Sequence, residues 1–476
     1  MLNSIAIYIW ALLSKISTQG IQFLFLLILA RYLSPEDFGS IGILGIFITI
    51  ANTLVDSGMS SSLIKEKEIT ADDSSTLFTF NVAISILLYG VIYLCSPAIE
   101  HYFQIDGLTR ISRLMALPIV INAMSIVPKT MLVKNLKFDI LFWVQFVALV
   151  VACLVIVILV MGYDWRLDAL ILYYNLLALF PAIGYWIVTK HIPKLYFSID
   201  SLKKLFSFGA YNTLSNIVDS IYENILSVFI GKYMNVAQAG YYIQAKKIEE
   251  VPSRSITELI CGVSFPLLCK NNTNHQWFID KSILIQKILF SLMTPAMLLL
   301  IIYSKEIIYI AFGKGWEAAA SYLMILSFAG IWIIIENTNR TFIKSLGRAD
   351  VMFMLSLIKR GLGILLIVIA LLISVEYLLW AYAISTLIGA LINAYAISKL
   401  VPYPFFRQFR LWMQIAIPAS VFFIVCQFVR GFCPNYYWMA IFTGIALIFY
   451  LMSLPLFGID DIRTMIRSFF SAKHRL

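Results

Sequence analysis

The chain has 476 residues, of which 61% are hydrophobic and only 13% are charged. Soluble domains carry about 25% charged residues, and a single soluble core stops growing at about 250–300 residues, so these values exclude one large soluble globule. Positive charge in a membrane protein collects in cytoplasmic loops, so the net charge of +10 does not indicate a nucleic-acid partner, and we predict none.

The apolar residues occur in runs of roughly 20, the length of a helix that crosses the hydrocarbon layer. We predict an all-α polytopic membrane protein with 14 transmembrane helices, at about residues 6–30, 38–62, 75–97, 110–133, 141–161, 168–189, 207–231, 237–268, 283–303, 319–343, 351–374, 377–398, 411–430 and 436–457. The first run contains Lys15 and Gln19 and lacks a small-residue cleavage site, so we expect a first span rather than a signal peptide.

A short polar break follows the first span and returns 201 residues later. Its sequence is Ala30-Arg31-Tyr32-Leu33-Ser34-Pro35-Glu36-Asp37-Phe38-Gly39, and the second copy is Gly231-Lys232-Tyr233-Met234-Asn235-Val236-Ala237-Gln238-Ala239-Gly240. The match predicts two pseudo-symmetric six-helix lobes, 1–200 with helices 1–6 and 201–400 with helices 7–12. Residues 401–476 add helices 13 and 14 and a tail. Parallel repeats of this kind place a transport site at their interface.

Lysine and arginine are distributed unevenly over the connections between the 14 predicted spans. Most of them fall on the side that holds both termini. Because short cytoplasmic loops carry the excess of these residues, we expect both termini in the cytoplasm.

Cysteine and histidine give no sign of a catalytic or metal site. The six cysteines have no C-x-x-C spacing, and the four histidines fall in predicted loops or in the tail. We therefore predict no catalytic residue, no metal and no cofactor.

Ionisable side chains inside spans are costly in the bilayer and normally face a partner or a wet cavity. They are concentrated in helices 1, 2 and 4 and in the pseudo-equivalent helices 7, 8 and 10. As cations for a central substrate cavity we select Lys15, Arg113, Lys246, Lys247, Arg254 and Arg340. As carboxylates for ion coupling we select Asp56, Asp219, Glu223, Glu250 and Glu258.

Helical spacing groups several of these residues on common faces. Asn212, Asn216, Asp219 and Glu223 share one face of helix 7, and the offset of 201 aligns the last three with Lys15, Thr18 and Gln22 of helix 1. On helix 8, Lys247, Glu250, Arg254 and Glu258 share a face. Pro252 removes a backbone hydrogen bond to Ile248 and predicts a kink there.

Two alternatives for these charges stay open. The helix 8 residues are spaced three or four apart with opposite signs, so they could form a self-neutralising ladder of ion pairs. Lys359 and Arg360, in the predicted span 351–374, could extend to the cytoplasmic surface instead of facing the interior.

The polar break, its second copy and the segment Phe312-Gly313-Lys314-Gly315-Trp316-Glu317-Ala318-Ala319 carry a family resemblance. Over nearly its whole length the chain resembles the Wzx-type polysaccharide flippases (O-antigen and exopolysaccharide) of the MOP superfamily. The resemblance implies a flippase in the bacterial inner membrane that moves undecaprenyl-diphosphate-linked oligosaccharides by alternating access, with H⁺ or Na⁺ as a coupling ion. Membrane lipids and a glycan polymerase or other assembly proteins would be its partners.

Two other functions are weighed against this one. A MATE-like drug or cation antiporter belongs to the same superfamily, although 12 spans are more usual there. An enzyme, such as a glycan polymerase, needs a sizeable external loop or an acidic metal-binding loop, and the sequence shows neither.

Overall fold

The computed structural model describes residues 24–56, 70–163, 165–190, 196–270, 273–371, 373–433 and 435–459, together with residues 18, 20–22, 59, 60 and 63. In this part of the chain the regular secondary structure is helical. Side chains at 204–213, 215 and 216 and at a few further positions are not described, although the helix backbone there is.

From Pro35 onward, fifteen α-helices follow one another in the described residues. They are α1 (Pro35–Asp56), α2 (Ala71–Phe103), α3 (Leu108–Lys134), α4 (Phe138–Tyr163), α5 (Leu167–Thr189), α6 (Ile199–Tyr233), α7 (Val236–Glu250), α8 (Thr257–Lys270), α9 (His275–Ile302), α10 (Ser304–Phe312), α11 (Ala318–Ser345), α12 (Ala349–Leu371), α13 (Val375–Leu400), α14 (Phe405–Phe432) and α15 (Tyr436–Ser453). A π-helical turn, Val251–Ile256, joins α7 to α8, and a 3₁₀ turn, Leu454–Phe457, follows α15.

Eleven of the described helices, α1–α5, α9 and α11–α15, are long and apolar enough to cross a membrane. The prediction of an all-helical, multi-pass membrane protein is therefore confirmed. Two of the remaining predicted spans correspond to α6 and to residues 236–270, which are long helices with many polar side chains. The first predicted span overlaps the shorter apolar helix Gly20–Leu29 and otherwise lies outside the described residues.

The chain forms two compact units, Met1–Ile243 and Gln244–Leu476. In the first unit, α3 packs against α1, α2 and α5, and α6 packs against α1. In the second, α11 packs against α9 and α13, and α14 packs against α9 and α15. The lobe boundaries predicted at residues 200 and 400 follow the sequence repeat rather than this packing, and they stay a prediction.

Each of the two repeated polar breaks contains a helix cap. Ser34 and Asp37 form a reciprocal pair, since Asp37 Oδ2 accepts from the Ser34 backbone N–H at 2.9 Å and Ser34 Oγ accepts from the Asp37 N–H at 3.3 Å. At the equivalent position of the second copy, Asn235 Oδ1 accepts from the Gln238 N–H at 2.8 Å. Such caps satisfy backbone donors that the first helical turn leaves unpaired.

The starts of α1 and α7 pack on each other inside the first unit, and the contact is reciprocal. A methyl group added at Gly39 would lie 2.0 Å from the carbonyl oxygen of Val236, and one added at Gly240 would lie 1.9 Å from that of Pro35. Adding 201 to Pro35 and Gly39 gives Val236 and Gly240, so the two copies of the repeat exchange equivalent contacts. Only glycine allows two backbones to approach this closely.

Candidate functional site

Residues 236–270, here called the polar helix segment, comprise α7, the π-helical turn and α8. Glu250 lies at its centre, where its Oε1 is 3.7 Å from Lys246 Nζ and 3.8 Å from Arg254 Nε. All three side chains are half-buried. The predicted ion pair between Glu250 and Arg254 is thus present, and Glu250 also contacts Lys246, which was not part of the predicted ladder. Of the remaining predicted face, Lys247 is half-buried and Glu258 is exposed.

The helix changes type beside this carboxylate. The π-helical turn, Val251–Ile256, begins directly after Glu250 and contains the buried Pro252. Proline has no backbone N–H, so a regular α-helical ladder cannot continue through this position. The irregularity lies where the sequence predicts a kink, and π-helical turns of this kind are frequent at functional sites.

Glu249 lies on the inner side of the same segment and is 2% exposed. A methyl group at Gly330 of α11 would meet its Oε1 at 2.3 Å and the Met297 side chain of α9 at 2.8 Å. Glu249 therefore packs directly against α11, beside Met297 of α9. Glu249 is not among the candidate residues selected from the sequence.

A second group of charges, the Glu336 cluster, consists of Glu336, Lys359 and Arg360. Glu336 Oε1 accepts a hydrogen bond from Lys359 Nζ at 2.8 Å and lies 3.4 Å from Arg360 Nη2. The side chains of Glu336 and Lys359 are only 5% and 4% exposed. The alternative in which Lys359 and Arg360 extend to the cytoplasmic surface is wrong, because the carboxylate of α11 holds both cations of α12 inside the second unit.

A chain of buried amides and a tyrosine supports α11 around this cluster. Asn393 Nδ2 of α13 donates to the Glu336 carbonyl oxygen at 3.1 Å. Gln286 Nε2 of α9 donates to Asn339 Oδ1 at 3.1 Å, and the Tyr403 hydroxyl donates to Gln286 Oε1 at 2.7 Å. Burial raises the pKa of Tyr403, which lies between α13 and α14, so its hydroxyl stays protonated as the donor.

The selected residues of the first unit lie on three helices. Asp219 of α6 is buried and Glu223, one turn later, is half-buried. Asp56 is exposed at the end of α1, where its Oδ1 accepts from the Ser60 hydroxyl at 2.5 Å. Arg113 Nε of α3 donates to Ser96 Oγ of α2 at 3.0 Å.

The remaining predicted positions are Lys15, Asn212, Asn216 and Arg340. Lys15 lies outside the described residues, as do the side chains of Asn212 and Asn216. The predicted equivalence of the polar faces of predicted helices 1 and 7 therefore stays a prediction. Arg340 is half-buried on α11, one turn after Glu336.

The structure thus brings together Lys246, Glu250 and Arg254, and it adds the Glu336 cluster. The role of the selected residues in a substrate cavity or in ion coupling stays a prediction. Glu336, Lys359 and Arg360 were visible in the sequence as charges inside two consecutive spans. Opposite charges at similar depth in neighbouring spans were the signal that could have selected them. Within the described ranges, no group of three or more His, Cys, Asp or Glu side chains is placed to hold a metal ion.

Residues 28–321 match the family model described as polysaccharide biosynthesis protein, which covers more than half of the chain. The chain belongs to this family. Among its relatives is the teichuronic acid biosynthesis protein TuaB of Bacillus subtilis (strain 168), with 27% identity over 359 residues, 74% of this chain and 73% of that protein. The lipopolysaccharide biosynthesis protein WzxC of Escherichia coli (strain K12) is 22% identical over 89% of this chain and 86% of its own length. The succinoglycan biosynthesis transport protein ExoT of Rhizobium meliloti (strain 1021) is 23% identical over 74% of this chain and 71% of its own length.

Solved structures show the same fold. The lipid II flippase MurJ in an inward closed conformation has a TM-score of 0.75 at 18% identity, over 97% of this chain and 100% of that chain. An inward-facing multidrug resistance MATE transporter of the MOP superfamily has a TM-score of 0.57 at 16% identity, over 80% and 96% of the two chains. The predictions of a membrane protein of polysaccharide biosynthesis and of a fold shared with the MOP superfamily are confirmed.

Proposed function

We propose that this protein is a flippase that moves undecaprenyl-diphosphate-linked oligosaccharide repeat units across the bacterial inner membrane by alternating access. Its family and three relatives named for polysaccharide or lipopolysaccharide biosynthesis support this proposal. The similarity to a lipid II flippase over nearly the whole chain supports the same class of cargo, a glycan on a polyprenyl diphosphate. A glycan polymerase and other assembly proteins would act on the delivered units.

The observation that carries the proposal is the shared carboxylate of the polar helix segment. Glu250 lies within 4 Å of both Lys246 and Arg254, and all three side chains are half-buried. Arginine offers a diphosphate two parallel donors and lysine a compact charge. An entering diphosphate would compete with Glu250 for these cations, and we propose that Lys247 and Arg340 add to the same attraction.

The same competition provides a route to ion coupling. A carboxylate that loses its cationic partners in a poorly solvated site gains affinity for H⁺ or Na⁺. Glu250 would therefore bind a cation when the diphosphate takes Arg254, and it would release that cation when the substrate leaves. Asp56, Asp219, Glu223 and Glu258 stay candidates for the same role.

We also propose that α6 and the polar helix segment cross the membrane, which together with the first predicted span and the 11 apolar helices gives the 14 spans and two lobes predicted from the sequence. Each covers 35 residues, about 52 Å of helix at 1.5 Å per residue, more than the roughly 30 Å of hydrocarbon. Their polar side chains would line the wet path rather than face lipid. Both termini then lie in the cytoplasm.

Deletion of the gene in its native host tests the function. The expected result is loss of a surface polysaccharide together with accumulation of its lipid-linked repeat unit on the cytoplasmic side. Complementation with the native chain should restore the surface polysaccharide. At equal protein abundance, the Arg254→Gln variant should restore less than a tenth of the amount of polysaccharide that the native chain restores. Normal surface polysaccharide combined with increased drug sensitivity would contradict the proposal and favour the MATE-like antiporter.

A further inference from the structure

A groove of about 500 Å³ lies in the first unit where α2 and α3 meet, outside the polar helix segment and the Glu336 cluster. It is open on one side, at the end of the helical hairpin that the 14-span topology places outside the cytoplasm. Its lining includes Tyr89, Tyr93, Glu100, Thr109, Arg113 and Leu114. We call it the Arg113 groove.

Arg113 lines this groove and has no carboxylate partner among the described residues. Its guanidinium carbon lies 3.9 Å from the centre of the Tyr93 ring, and its Nε donates to Ser96 Oγ. These are its partners among the described residues, and neither is anionic. The neighbouring Arg110, by contrast, lies 2.9 Å from Asp168. A half-buried guanidinium fixed at Nε keeps its two terminal nitrogens for the paired oxygens of an oxyanion.

The rest of the lining suits hydroxyl groups and an apolar ring face. The rings of Tyr89 and Tyr93 lie 6.1 Å apart, and Tyr93 is 41% exposed. Glu100 Oε2 accepts from the Thr109 N–H at 2.6 Å, which fixes a carboxylate on the same wall. A carboxylate accepts hydrogen bonds from hydroxyls but repels a free phosphate, so the combination of Arg113 with Glu100 disfavours a bare inorganic anion.

We infer that the Arg113 groove is a binding subsite for an acidic sugar residue of the glycan, whose carboxylate pairs with Arg113. The pyranose ring packs its C–H face against the exposed tyrosine, and its hydroxyls donate to Glu100. A volume of about 500 Å³ is within the range of small-molecule sites. The inference rests on the proposed function, because it assigns the groove to the glycan portion of the same cargo. Diphosphate recognition stays with the polar helix segment.

Binding of small saccharides to the purified full-length protein in neutral-lipid nanodiscs tests this inference. The probes are digalacturonate, its neutral analogue digalactose and inorganic phosphate. The affinity of each is measured by isothermal titration calorimetry. We expect digalacturonate to bind at least tenfold tighter than either other probe. Arg113→Gln should weaken it by about 10- to 100-fold, the loss of a charge-assisted pair. Tyr93→Leu, which keeps the charge, should weaken both saccharides.

Lys137→Gln is the matched control, because it removes an exposed cation just beyond the opposite end of α3 and should leave digalacturonate binding unchanged. Thermal melting verifies that each variant is folded. Equal affinity for digalacturonate and digalactose, phosphate binding as tight as digalacturonate, or no binding by the native protein would overturn the inference. Loss of digalacturonate binding when phosphatidylglycerol is added would assign the groove to a lipid headgroup. None of these results depends on translocation, so they are separate from the deletion test.

Discussion

Glu336 forms ion pairs with two cations of α12, Lys359 and Arg360. Its carboxylate lies 2.8 Å from Lys359 and 3.4 Å from Arg360, and a methyl group at Gly389 would lie 3.0 Å from its second oxygen. A buried ion pair adds little net stability, but removing one partner leaves an uncompensated charge away from water. The cluster therefore fixes how α11 and α12 meet.

Glu336→Gln should be strongly destabilising. It leaves the Lys359 charge buried without its carboxylate and removes the Glu336 contact of Arg360, for an expected loss of about 3 kcal/mol in the free energy of unfolding. The measurement is thermal melting of the purified protein. The added change Lys359→Met should restore part of the loss, since it removes one uncompensated charge. Glu376→Gln, at an exposed glutamate of α13, is the control, and an equally small effect of both glutamine variants would contradict this role.

At the scale of helices, the most informative contact joins the starts of α1 and α7. The pairs Gly39 with Val236 and Gly240 with Pro35 are related by the sequence repeat, and Gly42 packs on Ile243, its own equivalent. A residue that contacts its own equivalent lies close to a pseudo-twofold axis. The repeat detected in the sequence is thus a local packing symmetry within Met1–Ile243.

Alanine at either glycine tests this contact. In Gly39→Ala and Gly240→Ala, the new methyl group meets a backbone carbonyl near 2 Å, so we expect each to lower stability by about 1–3 kcal/mol. Gly90→Ala is the control, because nothing lies within 4 Å of the added methyl group and alanine favours helix by roughly 0.5–1 kcal/mol. The double variant should cost less than the sum, since both changes disturb one contact. If thermal melts showed that both single variants are as stable as Gly90→Ala and that their effects add in the double variant, the close approach would be contradicted.

At the scale of the whole molecule, the number of membrane spans depends on whether α6 and the polar helix segment cross the membrane. If α6 and the polar helix segment cross the membrane, the turn between them lies outside the cell's cytoplasm. If neither crosses, the termini keep their sides but this turn moves to the cytoplasm.

Tyr233→Cys in a cysteine-free background separates these cases. Tyr233 is 56% exposed at the end of α6, so a cysteine there should react with a membrane-impermeant thiol reagent in cells whose outer permeability barrier has been opened. Lys137→Cys, in a turn predicted to be cytoplasmic, should react only after lysis. Labelling of position 233 that also requires lysis would exclude the 14-span arrangement.

The sequence by itself determined the class of fold, the family and the identity of most spans, because long apolar runs have few physical alternatives in a bilayer. It also determined the repeat and the ladder partners Glu250 and Arg254, which follow from spacing along one helix. It did not select Glu249 or the Glu336 cluster, because their partners lie on other helices and helical periodicity relates residues of one helix only. The tertiary structure alone decided that Lys359 and Arg360 are paired inside the protein, and that Gly39 and Gly240 serve a backbone contact. In each case the deciding quantity is a distance between segments far apart in the chain, which no local pattern contains.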